Sequence, residues 1–170
     1  MTTGWDVIVV GAGNAALCAA LSAREQGAGV LVLERAPARA RGGNSYFTGG
    51  LVRFPYGGAG DIRALIPDLT DEEMATVDVG SYPEDDFFED LARVSRYRAD
   101  PELLAFLVEQ AYPTMQWLGE QGVRFGLARG RQAFQVDGVF RFWGNAPVEI
   151  VGGGVGLVDA LFAAAERAGV

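Results

Sequence analysis

The chain has 170 residues, 49% hydrophobic and 21% charged, with a formal net charge of −8 at pH 7. That length suits one domain and that composition a soluble globular chain, while an acidic balance without a basic block speaks against nucleic acid as a partner. No stretch reaches the ~20 apolar residues of a membrane span and the N-terminus lacks a secretory pattern, so a cytoplasmic location is expected. The single cysteine, Cys18, excludes an internal disulfide, and its place inside a helix reads as small apolar packing. The chain contains no histidine, which removes histidine general bases and histidine zinc sites from these residues.

The chain opens on Asp6–Val10, an apolar, β-branched run expected to form a strand buried on both faces. Gly11-Ala12-Gly13-Asn14-Ala15-Ala16 follows at once. Gly11 allows a tight turn, Gly13 leaves room for a pyrophosphate against the backbone, and Ala16 lets helix and strand approach closely. A helix over Asn14–Gln26 aims its N-terminal N–H groups at the phosphates. Gly27 ends it, and Val30–Leu33 forms a second strand. Glu34 stands at that strand's carboxyl end, roughly 20 residues past the glycines, where an acid accepts bonds from ribose hydroxyls. Strand, glycine turn, helix, strand and acid in this order indicate a dinucleotide-binding βαβ unit, and the acid favours FAD or NAD over NADP.

Residues 36–50 read as a loop too broken for a helix. Its glycines at 42, 43, 49 and 50, around Asn44-Ser45, suit either a surface turn or a backbone approaching a flat ligand. Its place directly after a nucleotide-binding strand favours the ligand. Leu51–Phe54 is a short strand, Pro55–Gly60 a turn, and Asp61–Pro67 an apolar turn or extended segment. Thr70 caps a helix running to about Val79. Pro83 precedes another, with Phe87, Phe88, Leu91 and Val94 at helical spacing; its acids at 84–86 serve the helix dipole rather than a metal. Asp100-Pro101 starts a helix whose apolar face is Leu103, Leu104, Phe106, Leu107 and Ala111, and Pro113 is expected to kink or break it. Trp117 and Leu118 read as core. Val123–Phe125 is a strand, and Phe134–Phe142 alternates around Asp137-Gly138 as a hairpin. Val148–Val151 is a further strand, and Gly152-Gly153-Gly154 leads into a helix over Leu157–Arg167. Gly169-Val170 looks like the start of a third parallel strand, so the chain is expected to be an N-terminal fragment.

Three blocks carry a resemblance to a known family: residues 11–37 (GAGNAALCAALSAREQGAGVLVLERAP), 41–54 (RGGNSYFTGGLVRF) and 152–170 (GGGVGLVDALFAAAERAGV). The chain resembles FAD-binding flavoproteins of the fumarate reductase/succinate dehydrogenase type, and within them the tricarballylate dehydrogenase branch. The resemblance implies an α/β fold, a Rossmann-like (doubly wound) FAD-binding βαβ domain over residues 1–60 and 148–170, incomplete at the C-terminus. A helical and hairpin insertion would occupy residues 61–147. FAD would be bound in extended form. Gly11, Ala12, Gly13, Asn14, Ala15 and Ala16 would meet the pyrophosphate, and Glu34, with Arg35 beside it, the adenosine ribose. Arg41, Gly42, Gly43, Asn44 and Ser45 would line the flavin side, and Thr48, Gly49 and Gly50 would pass close to the isoalloxazine. Members that attach FAD covalently use a histidine in this loop, so non-covalent FAD is implied here.

The implied chemistry is removal of two hydrogens from adjacent carbons of a small di- or tricarboxylate, a hydride going to flavin N5 and a proton to a base. An electron-transfer protein would reoxidise the reduced FAD. The family's substrate-clamping and proton-carrying motifs lie beyond its first dinucleotide segment, so no catalytic residue is named. Arg39, Arg41, Arg53, Arg129, Arg131 and Arg141 read mostly as solvated charges, with phosphate or carboxylate binding as the alternative. A nucleotide-binding module without turnover and enzymes of ketosteroid dehydrogenase or urocanate reductase type share the same N-terminal pattern.

Overall fold

A computed structural model of the chain describes residues 4–170. In chain order its elements are β1 (Val7–Val10), α1 (Asn14–Glu25), β2 (Val30–Leu33), a 3-10 turn (Ala38–Ala40), α2 (Gly43–Tyr46), β3 (Leu51–Val52), α3 (Ala59–Leu65), α4 (Asp71–Ala75) and β4 (Val77–Asp78). Then follow α5 (Glu84–Val94), α6 (Pro101–Glu120), β5 (Phe125–Leu127), α7 (Arg129–Gln132), β6 (Ala133–Val136), β7 (Val139–Phe142), a second 3-10 turn (Trp143–Asn145), β8 (Val148–Ile150) and α8 (Gly153–Ala168). They form two compact units. One comprises the segment ending at Gly50 with Gln121–Arg124 and Ile150–Val170, the other Leu51–Glu120 with Phe125–Glu149.

In the first unit β1 and β2 pair in parallel, from Val7 opposite Val30 to Val10 opposite Leu33, with α1 as the crossover between them. The expected βαβ unit is therefore present. α1 packs on both strands and on α8. Leu17, Ala20 and Leu21 of α1 are buried, as are Leu157, Val158 and Leu161 of α8. A fully buried leucine such as Leu161 contributes about 1.5–3 kcal/mol. Arg24 ties the C-terminal ends of α8 and α1 together, its Nε donating to the Ala168 carbonyl at 2.9 Å and its Nη1 to the Ala28 carbonyl at 2.7 Å. The first carbonyl belongs to the last residue of α8 and the second lies just past α1, where a cation also meets the negative ends of the helix dipoles.

One expectation for this unit is corrected. β1 is not buried on both faces: Ile8 is 57% and Val10 83% exposed. Among the described residues β2 is its only strand neighbour and α1 covers one face, so alternate side chains stay open. Gly169 takes a left-handed φ of 75° and closes α8, its N–H donating to the Glu166 carbonyl at 3.2 Å.

In the second unit β3, β8 and β5 form one sheet, with Leu51 opposite Glu149 and Val52 opposite Val148 antiparallel; β4, β7 and β6 form another. The hairpin is as expected. Val136 pairs with Val139, and Asp137 and Gly138 supply the two positive φ values, 51° and 82°, of a type I′ turn. Phe54, Ile62, Tyr82 and Phe87 are buried among the helices. Thr70 and Glu73 form a reciprocal capping box on α4, but the helix ends at Ala75 because Val77 turns into β4 beside Phe140.

Three further corrections fall here. Residues 61–65 are helical, as part of α3, with Ile62 and Leu65 buried on its inner side. The strand expected at Val123 begins instead at Phe125. α6 runs unbroken through Pro113; the residue stands on the exposed side, and the buried face, Val108, Met115 and Leu118, holds the helix against its neighbours. The apolar face of α6 is correspondingly displaced, since Leu103, Phe106 and Leu107 are 65%, 62% and 46% exposed. Asp100 caps the helix, its Oδ1 accepting from the N–H groups of Glu102 and Leu103 at 2.9 and 3.2 Å. No helix among the described residues is long and apolar enough to cross a membrane, and none of their acid, cysteine or histidine side chains form a metal-binding group.

Candidate cofactor site

The site is built on the turn between β1 and α1. Gly11 holds φ +103°, which favours glycine, and its N–H donates to the Leu33 carbonyl at 2.7 Å. This bond ties the turn to the end of β2. Ala12 is buried, and its N–H donates to Glu34 Oε2 at 2.8 Å. The other oxygen of Glu34, Oε1, accepts from the Ala36 N–H at 2.7 Å. The Ala36 N–H chiefly, with the Ala12 and Arg35 N–H groups and the Arg35 charge, holds the Glu34 carboxyl below the usual carboxylate range against the cost of desolvation. A carboxylate offers about four acceptor positions, so Glu34 keeps capacity for ribose hydroxyls.

The α1 N-terminus faces the loop after β2. Gly13 is its N-cap and provides no side-chain cap, and its first turn carries no acid. Ser45 Oγ accepts from the Asn14 N–H at 2.9 Å. The first-turn N–H groups of Ala15 and Ala16 follow, in the positions that lack intrahelical partners. This is the arrangement that binds phosphate at a helix start. The Asn14 side chain turns along the helix, where its Oδ1 accepts from the Cys18 thiol at 3.4 Å. Burial pushes that thiol up to about 11, so it stays protonated near neutrality, as its reading as packing implied.

Residues 36–50 are more ordered than a loop. Gly43–Tyr46 forms one helical turn, α2, which packs on α8. Gly42 starts it at φ +101°, and a Cβ there would lie 2.8 Å from Val158 Cγ1. The close approach is imposed by tertiary packing, which a propensity reading of a single turn does not contain. Arg41 lies with its guanidinium 3.6 Å over the Phe162 ring and 4.0 Å from Glu166, so α8 anchors it. The Thr48 carbonyl accepts from the Gly154 N–H at 2.9 Å, and Thr48 Oγ1 from the Gly50 N–H at 3.3 Å. A Cβ on Gly50 would meet Gly153 Cα at 2.7 Å.

The glycines thus divide by what requires them. Gly42 and Gly50 are needed by the protein itself, for backbone sign and for space. Gly13 is different: its φ is −80°, open to any residue, and a Cβ there would reach only ordinary contact, 3.4 Å from the Gly42 carbonyl and Ser45 Oγ. Nothing in the chain demands glycine at 13. A glycine there leaves the space over the α1 N-terminus without a side chain, as the extended pyrophosphate of FAD would need.

Among the expected residues, Ala12 is hydrogen-bonded to Glu34 and Asn14 to Ser45, and Gly11 and Gly13 flank Ala12 in the turn. Ala15, Ala16, Gly42, Gly43 and Asn44 lie on the two helical turns that meet there. Arg35 is beside Glu34 and exposed, Arg41 is held on α8, and Thr48, Gly49 and Gly50 run against the Gly152–Gly154 turn. Gly154 and Gly156 were not assigned a role from sequence. A Cβ on Gly154 would collide with the Ser45 carbonyl, and one on Gly156 with the Val151 carbonyl, so both glycines set how closely α8 approaches the loop. Their spacing in the Gly152–Gly156 run was the available signal.

Residues 6–170 match the protein family described as FAD binding domain. A 3-oxo-5-alpha-steroid 4-dehydrogenase of Comamonas testosteroni is 33% identical over 86% of this chain and 25% of its own length. A urocanate reductase of Eggerthella lenta is 35% identical over 69% of this chain and 17% of its own. Among solved structures, the open conformation of a flavocytochrome c3 fumarate reductase superposes with a TM-score of 0.63 at 27% identity, covering 98% of this chain and 26% of that one. The chain thus spans about a quarter or less of these relatives. They do not single out a tricarballylate dehydrogenase.

Proposed function

Since the chain belongs to the FAD-binding domain family of fumarate reductase/succinate dehydrogenase flavoproteins, we propose that it is the cofactor-holding part of an oxidoreductase acting across a carbon–carbon bond. The observation that carries this is Gly13, a glycine that the chain's own packing does not require, placed as the N-cap of α1 with no cap bond of its own, beside Ser45 and Glu34. Bound there, FAD supplies a hydride acceptor or donor at its N5 position. The chain's residues do the holding. Gly11 and Gly13 admit the pyrophosphate, and the α1 N–H groups and helix dipole stabilise its charge. Glu34 receives the ribose while fastening the turn through Ala12. Ser45 fixes the α2 turn against the start of α1. The doubly wound arrangement of the complete domain, a substrate of carboxylate type and an electron-transfer partner complete this reading.

Dehydrogenation of a tricarballylate-like saturated acid and reduction of a fumarate- or urocanate-like unsaturated acid are opposite directions of one type of reaction, hydride exchange between flavin and a carbon–carbon bond. A saturated acid offered to the oxidised flavin of the full-length protein, and an unsaturated acid offered to its pre-reduced flavin, distinguish them, by bleaching and by recovery of the flavin absorbance respectively. A full-length protein whose flavin responds to neither refutes the enzymatic reading and leaves a nucleotide-binding module. A steroid that alone bleaches the flavin replaces the carboxylate by the ketosteroid alternative.

A further inference from the structure

β6 (Ala133–Val136) is an outer strand of the β4-β7-β6 sheet and the longest sheet edge of the second unit. Its pairing with β7 runs without a bulge, from Ala133 opposite Phe142 to Val136 opposite Val139. The Phe140 N–H donates to the Thr76 carbonyl at 2.9 Å, toward β4 and away from β6. Alternation along an antiparallel pair then turns the N–H and C=O of Phe134 and Val136 toward β7, and those of Ala133 and Gln135 outward. The two-residue turn at Asp137-Gly138 fixes the same parity, since the bonded pair that closes it is Val136 with Val139.

Sheet edges are blunted by proline, lysine, a bulge or an inward-pointing charge. Ala133-Phe134-Gln135-Val136 has none of these. Its surroundings are apolar instead. Trp143 stacks on Phe134 with ring centroids 4.4 Å apart and is still 59% exposed. Val136, on the same side of the strand as Phe134, is 38% exposed. Arg141, opposite Phe134 on that side, is matched by Asp78, whose Oδ2 lies 3.3 Å from its Nε. The edge therefore carries no charge that repels a strand laid against it.

The outward groups of Ala133 and Gln135 lie symmetrically about Phe134, which makes the edge complementary to itself. We propose that β6 pairs antiparallel with β6 of a second copy of this chain, about a two-fold axis at Phe134. Ala133 of each copy exchanges both backbone bonds with Gln135 of the other. The two Phe134 side chains meet in the close, non-hydrogen-bonded pair, flanked by the two Trp143 rings. The same axis brings the Asp137 turn of each copy to the α7 end of the other, and α7 carries Arg129 and Arg131 and no acid. A short strand pair and a few side chains bury little area, so the dimer is weak and concentration-dependent. It is independent of the cofactor reading.

Sedimentation of the whole chain from micromolar to millimolar concentration should show monomer giving way to dimer. Over the same range, hydrogen exchange of the Ala133 and Gln135 amides should slow. Gln135→Pro removes an outward N–H and no bond of the hairpin, so it should keep the melting temperature near wild type and weaken dimerisation by at least about tenfold. The register has its own test, which serves where Gln135→Pro does not fold. Phe134→Glu and Phe134→Lys should each stay monomeric where wild type dimerises, because like charges then face each other, and an equimolar mixture of the two should associate. A monomer at every concentration, or association that folded Gln135→Pro leaves unchanged, would overturn the proposal. So would Ala133 and Gln135 amides protected equally at every dilution, as a covering segment of the same chain would leave them. A mixture of the charged variants no more associated than either alone would overturn the two-fold axis at Phe134.

Discussion

Replacing Gly13 by alanine should separate folding from flavin binding. The native φ of −80° suits alanine, and the new Cβ would stand 3.4 Å from the Gly42 carbonyl and Ser45 Oγ. Reduced freedom of the unfolded chain favours alanine by about 0.4–1 kcal/mol. Alanine is the poorer N-cap by an amount of similar size, about 0.5–1 kcal/mol. The two nearly cancel, so the flavin-free protein should melt within a few degrees of wild type. Flavin binding has no such compensation. Displacing the pyrophosphate from the α1 N-terminus forfeits charge-assisted bonds of about 1.5–3 kcal/mol each, and two lost bonds mean a hundredfold or greater loss of affinity. Thermal unfolding without FAD and a fluorescence titration with FAD measure the two effects. Gly42→Ala is the contrast. Its φ of +101° and its contact with Val158 predict a loss of about 2–4 kcal/mol in folding. Wild-type FAD affinity in Gly13→Ala would refute the reasoning. So would unfolding of that variant, since Gly13 would then be a structural requirement.

The Glu34 carboxyl is held below its ordinary range in the folded protein, so its contribution is complete above the unfolded value of about 4.3 and is lost as pH falls through the lower folded value. Acid titration of stability should therefore be shallower in Glu34→Gln than in wild type below about pH 4.3; identical acid limbs would show that the bonds to Ala12 and Ala36 do not form. Thr70→Ala removes the capping box of α4 and should cost about 1 kcal/mol in chemical denaturation, with no change in FAD affinity. Pro113→Ala should stabilise by about 1–3 kcal/mol, because the exposed site in the unbroken α6 regains a helix former and an N–H donor; a lower melting temperature would contradict that.

The β1–α1–β2 unit was legible because its signals are local: a β-branched run, glycines where the turn needs them, small residues along α1 and an acid at the end of β2. The same holds for the Asp137-Gly138 hairpin and the Thr70 cap. What was not legible depends on partners distant in sequence. The α2 turn exists because Gly42 packs against Val158, and Arg41 is drawn to Phe162, more than a hundred positions later. Glu34 was expected to face a ribose, and its bonds to Ala12 and Ala36 follow only from the folded turn. Periodicity marked α6 as amphipathic but could not choose its buried stripe, because Leu103, Phe106 and Leu107 are as apolar as Val108 and Met115. Likewise the β-branched pattern of β1 announces a strand but not how many neighbours cover it.

The most direct measurement is equilibrium titration of the purified chain with FAD and with NAD, followed by flavin fluorescence and by gel filtration with absorbance detection. Saturable quenching of FAD, with the flavin travelling with the protein and surviving excess NAD, is the result expected of a cradle formed by Gly11, Gly13, the α1 N-terminus and Glu34. Protein that stays colourless with added FAD, or that binds NAD in its place, would contradict it.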